Sequence, residues 1–114
     1  MEATAEQRAI CERYGVEPRP PAPGSRSGVA LLGEPDLLPL NGLRHPAEAG
    51  TNGWYLWPGT ALRQDGDFFQ PLHVEHLARR LPDAVPYLAL PPGWRFLLAP
   101  GHEDVWFDES LLRI

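Results

Sequence analysis

The sequence contains no lysine. Its ten basic residues are all arginines, they face fifteen carboxylates, and the formal net charge is −5. A domain with that balance lacks the basic footprint that phosphate neutralisation requires, which excludes a general nucleic-acid binder. A basic protein partner fits it better. Cys11 is the only cysteine, so no intrachain disulfide and no cysteine-rich zinc site can form. No uncharged apolar run reaches the ~18 residues that a membrane helix needs. The first residues, Met1-Glu2-Ala3-Thr4-Ala5-Glu6, are acidic and lack an apolar core, so no signal peptide is expected. No glycine-rich loop has phosphate-cradle spacing, and no repeat or heptad pattern recurs. A soluble cytoplasmic protein without a cofactor is the resulting expectation.

What the chain has in quantity is proline and glycine, 14 and 11 of its 114 residues. These predict short elements, many turns and at least one irregular stretch. The length suits one domain with one core, burying roughly 65% of the unfolded surface. It is too short for a two-domain enzyme with a large cleft.

Three segments follow. Residues 1–15 read as an N-terminal helix, Ala5 to Tyr14, with Thr4 and Gln7 as a capping box and Gly15 as the C-terminal stop. Its apolar stripe is only Ile10, Cys11 and Tyr14, which suits a rim position. Residues 16–27 form a proline-rich linker, expected to be extended and solvated. Residues 28–114 form the main domain. Val29 to Leu32 reads as a strand, Glu34 to Gly53 as turn-rich with a weak strand near Leu37–Leu40, and Gly53 to Trp57 as a strand. In that strand Trp54 and Leu56 face one side and Tyr55 and Trp57 the other. Pro71 to Leu81 reads as the main helix, with Gln70 as its N-cap, a Phe69–Val74 staple, and Val74, Leu77, Ala78 and Leu81 as one buried stripe. Glu75 and Arg79 form an i,i+4 pair on its outer face. Trp94 to Ala99, apolar on both sides, reads as a central strand, and Glu103 to Phe107 as its hairpin partner. The fold class is α+β: a small, mostly antiparallel sheet with one main packed helix and a peripheral N-terminal helix.

Several residues could carry chemistry. His73 and His76 share a helical face at i,i+3 and could bind a metal, with a third ligand from His102 or Asp67. The known helical zinc signature uses i,i+4, so exposed surface competes with that reading. Asp65-Gly66-Asp67 resembles part of a calcium loop, but Phe68-Phe69-Gln70-Pro71 after it supplies no further oxygen ligand. Cys11 lacks a nearby histidine and reads as a small buried hydrophobe. Glu103, Asp104, Asp108 and Glu109 crowd the last strand, either as a solvated rim or as a patch for a basic partner. A catalytic carboxylate pair would need a cleft that a chain of this size hardly offers. The second half is also rich in aromatics, more than one small core can hide. Exposed ones are the usual anchors of interfaces.

Gly53-Trp54-Tyr55-Leu56-Trp57, Asp67-Phe68-Phe69-Gln70-Pro71-Leu72-His73-Val74-Glu75-His76-Leu77, Leu90-Pro91-Pro92-Gly93-Trp94-Arg95-Phe96-Leu97 and Glu103-Asp104-Val105-Trp106-Phe107-Asp108-Glu109-Ser110-Leu111-Leu112, with Asn41-Gly42-Leu43-Arg44-His45-Pro46, together resemble the immunity protein 33-like domain. The resemblance runs from about Val29 to Ile114, with residues 1–27 outside it. It implies a bacterial immunity protein of a polymorphic toxin system, which binds a cognate toxin and blocks it without catalysis. It supplies no catalytic residues. The expected partner is a basic toxin. Asp65, Asp67, Glu103, Asp104, Asp108 and Glu109 would steer it, and Tyr55 and Trp57 would anchor it. The competing readings are a small metal-dependent enzyme built on His73 and His76, and a scaffold that associates with its own copies.

Overall fold

The computed structural model describes residues 3–30, 39–48, 50–59 and 70–113. Six strands and two helices follow one another along the described residues: α1 Ala5–Arg13, β1 Arg26–Val29, β2 Leu40–Arg44, β3 Thr51–Pro58, β4 Gln70–His73, α2 Val74–Arg80, β5 Trp94–Ala99 and β6 His102–Phe107. Two 3-10 turns, Pro82–Tyr87 and Glu109–Leu112, complete the set. The strands form one sheet in the order β4-β1-β3-β2-β5-β6, with β1 and β3 parallel and every other pair antiparallel. The architecture is α+β, as expected.

Helix α1 starts at the capping box: Gln7 N–H donates to Thr4 Oγ1 at 3.1 Å, and Thr4 N–H donates to Gln7 Oε1 at 3.0 Å. It ends in a Schellman motif. Gly15, at φ +72°, donates to the Glu12 carbonyl, and Val16 donates to that of Cys11. Its narrow stripe seats Ile10 and Cys11 in the main core, and Gln7 Nε2 donates to the Val85 carbonyl at 2.9 Å.

The proline-rich segment is extended but strapped to the domain. Pro21 and Ser25 are buried, and Arg19 is bonded in both directions: its N–H donates to the Ala89 carbonyl, and its carbonyl accepts from Arg44. The first strand begins inside this segment, at Arg26, rather than at residue 28 or 29. Leu31, Leu32, Leu37 and Leu38 lie outside the described residues.

Two sequence expectations change, one at the centre of the sheet and one at its edge. Asn41-Gly42-Leu43-Arg44 looks like a turn but is the body of β2, inside the sheet. The Phe96 ring and Leu56 occupy the space where a Cβ on residue 42 would lie, so glycine is required there by packing. Asn41 uses its side-chain amide to donate to the carbonyls of Trp57 and Gly59. Gln70-Pro71-Leu72-His73 looks like a helix start but pairs antiparallel with β1 as an edge strand. Proline is tolerated there because an edge residue does not have to donate to a neighbour. The helix therefore begins at Val74, not Pro71, and His73 is its N-cap in place of Gln70. Val74, Leu77 and Leu81 are buried as expected, whereas Ala78 is exposed. Glu75 Oε2 accepts from the Gly24 amide at 2.7 Å, which ties α2 to the proline-rich strap. Phe69, expected as the staple, lies outside the described residues.

Both faces of the sheet are covered. The larger core lies under α1, α2 and the first 3-10 turn and holds Trp54, Leu56, Leu77, Leu88, Leu90 and Phe96. The smaller one, on the opposite face, holds Ala30, Leu43, Trp57 and Leu111. Trp54 and Leu56 thus face one side of β3 and Trp57 the other, as the alternation predicts.

Candidate functional site: the acidic aromatic edge of the sheet

Strands β5 and β6 form the hairpin that the sequence predicts, turned at Pro100-Gly101 and ending the sheet at β6. Its register places Arg95 opposite Trp106, Leu97 opposite Asp104, and Leu98 opposite Glu103. Directly opposite residues share a face, so the pleat divides the acidic cluster. Asp104 and Trp106 lie on the face of the smaller core, and Glu103 lies on the helix side.

That division gives Glu103 a structural task. Its carboxylate accepts from the Tyr14 hydroxyl at 2.6 Å, the Tyr87 hydroxyl at 2.5 Å and Arg13 Nη1 at 2.7 Å. One side chain on β6 therefore holds both α1 and the first 3-10 turn against the sheet. The hydrogen bonds from Tyr14 and Tyr87, with Arg13 behind them, hold its pKa below the usual glutamate value. Burial and the neighbouring carboxylate push the Tyr87 hydroxyl well up. A groove of about 520 Å³ runs beside this cluster, lined by Leu40, Pro82, Pro86, Tyr87 and Leu98 among others. Its Glu103 end is occupied by these bonds.

On the opposite face, the Arg95 guanidinium lies over the Trp106 ring at 5.3 Å, a cation–π arrangement. Arg95 Nη1 also donates to Asp108 Oδ2 at 3.2 Å, while its Nε is buried with no acceptor among the described residues. Asp108 Oδ1 caps the final 3-10 turn, accepting from the Ser110 amide at 3.1 Å and from the Ser110 hydroxyl at 2.6 Å. The Ser110 hydroxyl and then Arg95 hold the Asp108 pKa below the usual aspartate value. Asp104 is 58% exposed and meets His102 at 2.8 Å, and Glu109 pairs with Arg113 across one turn.

Trp106 and Phe107 are 39% and 48% exposed and, with Leu112, are the exposed large hydrophobic residues among those described. Phe107 stacks at a tilt on Trp94 with 5.8 Å between centroids. The aromatics chosen from the sequence sit elsewhere. Trp57 is 4% exposed inside the smaller core, out of a partner's reach. Tyr55 is half-buried beside that core, edge-on to His45 at 5.6 Å. It lies in the cross-strand row Tyr55, Leu43, Arg95, Trp106, so Tyr55 and Trp106 share a sheet face three strands apart. Alternation placed Tyr55 and Trp57 on the second face correctly. It could not show that Trp57 is enclosed there, in one buried cluster with Ala30, Leu43 and Leu111. The signal for Trp106 and Phe107 was their place in the last strand beside a charged turn.

Asp65 and Asp67 lie outside the described residues. His73 ends β4 and His76 is exposed on α2, their rings 5.9 Å apart between centroids. Among the described residues no group of three or more His, Cys, Asp or Glu stands close enough to hold a metal ion. Cys11 is fully buried, and burial pushes its thiol pKa up, the condition of an inert core residue. Among the described residues no helix is long and apolar enough to cross a membrane.

Sequence reasoning missed Arg44, a residue 5% exposed in the core. It donates to the main-chain carbonyls of Asn52, Arg19 and Leu90 at 3.0, 2.6 and 2.8 Å, with Leu88 at 3.4 Å. Its guanidinium lies 5.6 Å from the centroid of the Trp54 ring. Burial pushes its pKa down to about 10. No periodicity marks such a residue, because its acceptors come from three separate segments.

Comparison with curated proteins and with solved structures gives no significant match. A protein-family model does match, over residues 6–108, a span that includes α1, the proline-rich strap and all six strands. With nearly the whole of its length matched, this chain belongs to the Imm33-like domain family.

Proposed function

We propose that this chain is an immunity-type binding protein, which neutralises a cognate bacterial toxin by direct binding and occlusion. It acts in the cytoplasm, without catalysis and without a cofactor. Membership of a family named for immunity carries the reading. The surface of β6 supports it. Trp106, backed by Arg95, offers the residue types that dominate interface hot spots. Asp104 stands exposed on the same face beside His102 and carries most of the proposed steering charge, with Glu109, Asp108 and Glu103 as further acidic members that are paired with Arg113, Arg95 and Arg13. Such a field raises the encounter rate with a basic partner. Asp65 and Asp67 belong to the same proposal as further steering charges.

The test is co-purification of the tagged chain from its own host, combined with toxin challenge. A stoichiometric partner with a toxin domain, encoded beside this chain and lethal in its absence, is the expected result. Survival that does not depend on this chain, in cells shown to make the neighbouring protein, would overturn the reading.

A further inference from the structure

We propose that the outer edge of β6 takes up an extended, basic segment of a protein partner, which adds to the sheet as a further strand. The inference deepens the binding reading above and rests on it for the partner's identity.

An edge strand presents the N–H and C=O groups of alternate residues to whatever lies beside it. β6 ends the sheet, and among the described residues no strand pairs with its outer side. The two edges of the sheet are unequal. β4 is four residues long and carries Pro71, which has no N–H to offer. β6 is six residues long and holds neither proline nor glycine. Its Val105-Trp106-Phe107 run consists of strong strand formers.

The side chains define the occupant. Trp106 and Phe107 project to opposite faces of the strand and are both exposed, so an added strand would lie between two aromatic rims. Along this edge Asp104 is 58% exposed beside His102, Glu103, Asp108 and Glu109 are paired with Arg13, Arg95 and Arg113, and the chain as a whole carries a net charge of −5. A second copy of this chain would bring the same net negative charge to the edge, which opposes self-association. The charge that protects the edge from self-pairing selects a basic segment.

The probe is a short synthetic peptide alternating arginine with threonine, titrated into the full isotope-labelled chain and followed by amide resonances. The expected result is perturbation and slowed exchange of alternate β6 amides. N-methylation of every second peptide amide keeps the charge and removes main-chain donors, and it should weaken binding about tenfold. Replacing the arginines by glutamates should abolish binding. Equal binding of the N-methylated peptide, perturbation centred on β4 or α2, or no perturbation at any soluble concentration would each overturn strand addition. So would β6 protection that rises with chain concentration in the absence of peptide. The two readings fail separately. A captured toxin that leaves β6 amides exchanging freely overturns strand addition and leaves immunity standing. Toxin-independent survival overturns immunity, while the peptide titration still decides the edge.

Discussion

Arg44 donates through Nη1 to the main-chain carbonyl of Arg19 at 2.6 Å, a cation deep in the core holding the backbone of a proline-rich strap. The same guanidinium reaches Asn52 on β3 and Leu90 before β5. Three segments besides its own strand thus depend on one side chain. Replacing it with methionine leaves buried carbonyls without donors, each costing about 1–3 kcal/mol. Arg44→Met is expected to lose at least about 3 kcal/mol in urea unfolding. Arg44→Lys should recover only part of that, because a single ammonium cannot span the planar fork's acceptors. A loss below about 1 kcal/mol for Arg44→Met would contradict the assignment.

Glu103 should give the protein part of its acid sensitivity. Hydrogen bonds from Tyr14 and Tyr87 lower its pKa in the folded state, so the unfolded chain binds this proton more readily. The stabilisation is therefore present above the ordinary value of 4.5 and is lost as the pH falls below it. Glu103→Gln should lower stability at neutral pH and flatten the decline below that value. Amide exchange in α1 should also speed up in the variant, since Tyr14 and Arg13 lose their anion. An unchanged acid limb would contradict this role.

The two tryptophans Trp57 and Trp106 should separate stability from binding. Trp57→Ala empties part of the smaller core and should cost about 3–5 kcal/mol. Trp106→Ala removes a side chain that is 39% exposed and should cost under about 1 kcal/mol. Thermal unfolding of the pair checks this directly. Equal losses would mean that Trp106 is a core residue rather than part of a free surface.

These residues also mark how far the sequence could be read. The capping box at Thr4 and Gln7, the alternation in β3 and the hairpin at Pro100-Gly101 rest on local chemistry, and the structure follows them. The departures all come from long range. Gly42 looks like a turn residue because nothing nearby reveals the Phe96 ring that needs its space. Pro71 suits a helix start and an edge strand alike, and only pairing with β1 decides between them. Glu103 and Asp104 are neighbours in sequence, yet the pleat sends one to a structural anion site and the other to the exposed face. Trp57 and Trp106 both alternate onto one face, and only the first is enclosed, in a cluster with Ala30, Leu43 and Leu111.

Charge on the exposed face should act on association rate. Asp104→Lys with Glu109→Lys changes charge without touching the Asp108 cap or the Glu103 latch. The double variant is expected to associate with the captured partner about tenfold more slowly at low salt, with a flatter salt dependence. Stopped-flow mixing over a range of ionic strength measures both. An unchanged rate would contradict electrostatic steering.

The most direct measurement is inhibition of the co-purified toxin by the purified chain. Toxin activity should fall to zero at one equivalent of wild-type protein, with Trp106→Ala folded but shifted to a weaker affinity by about tenfold or more. Full toxin activity in the presence of excess wild-type chain would contradict the account.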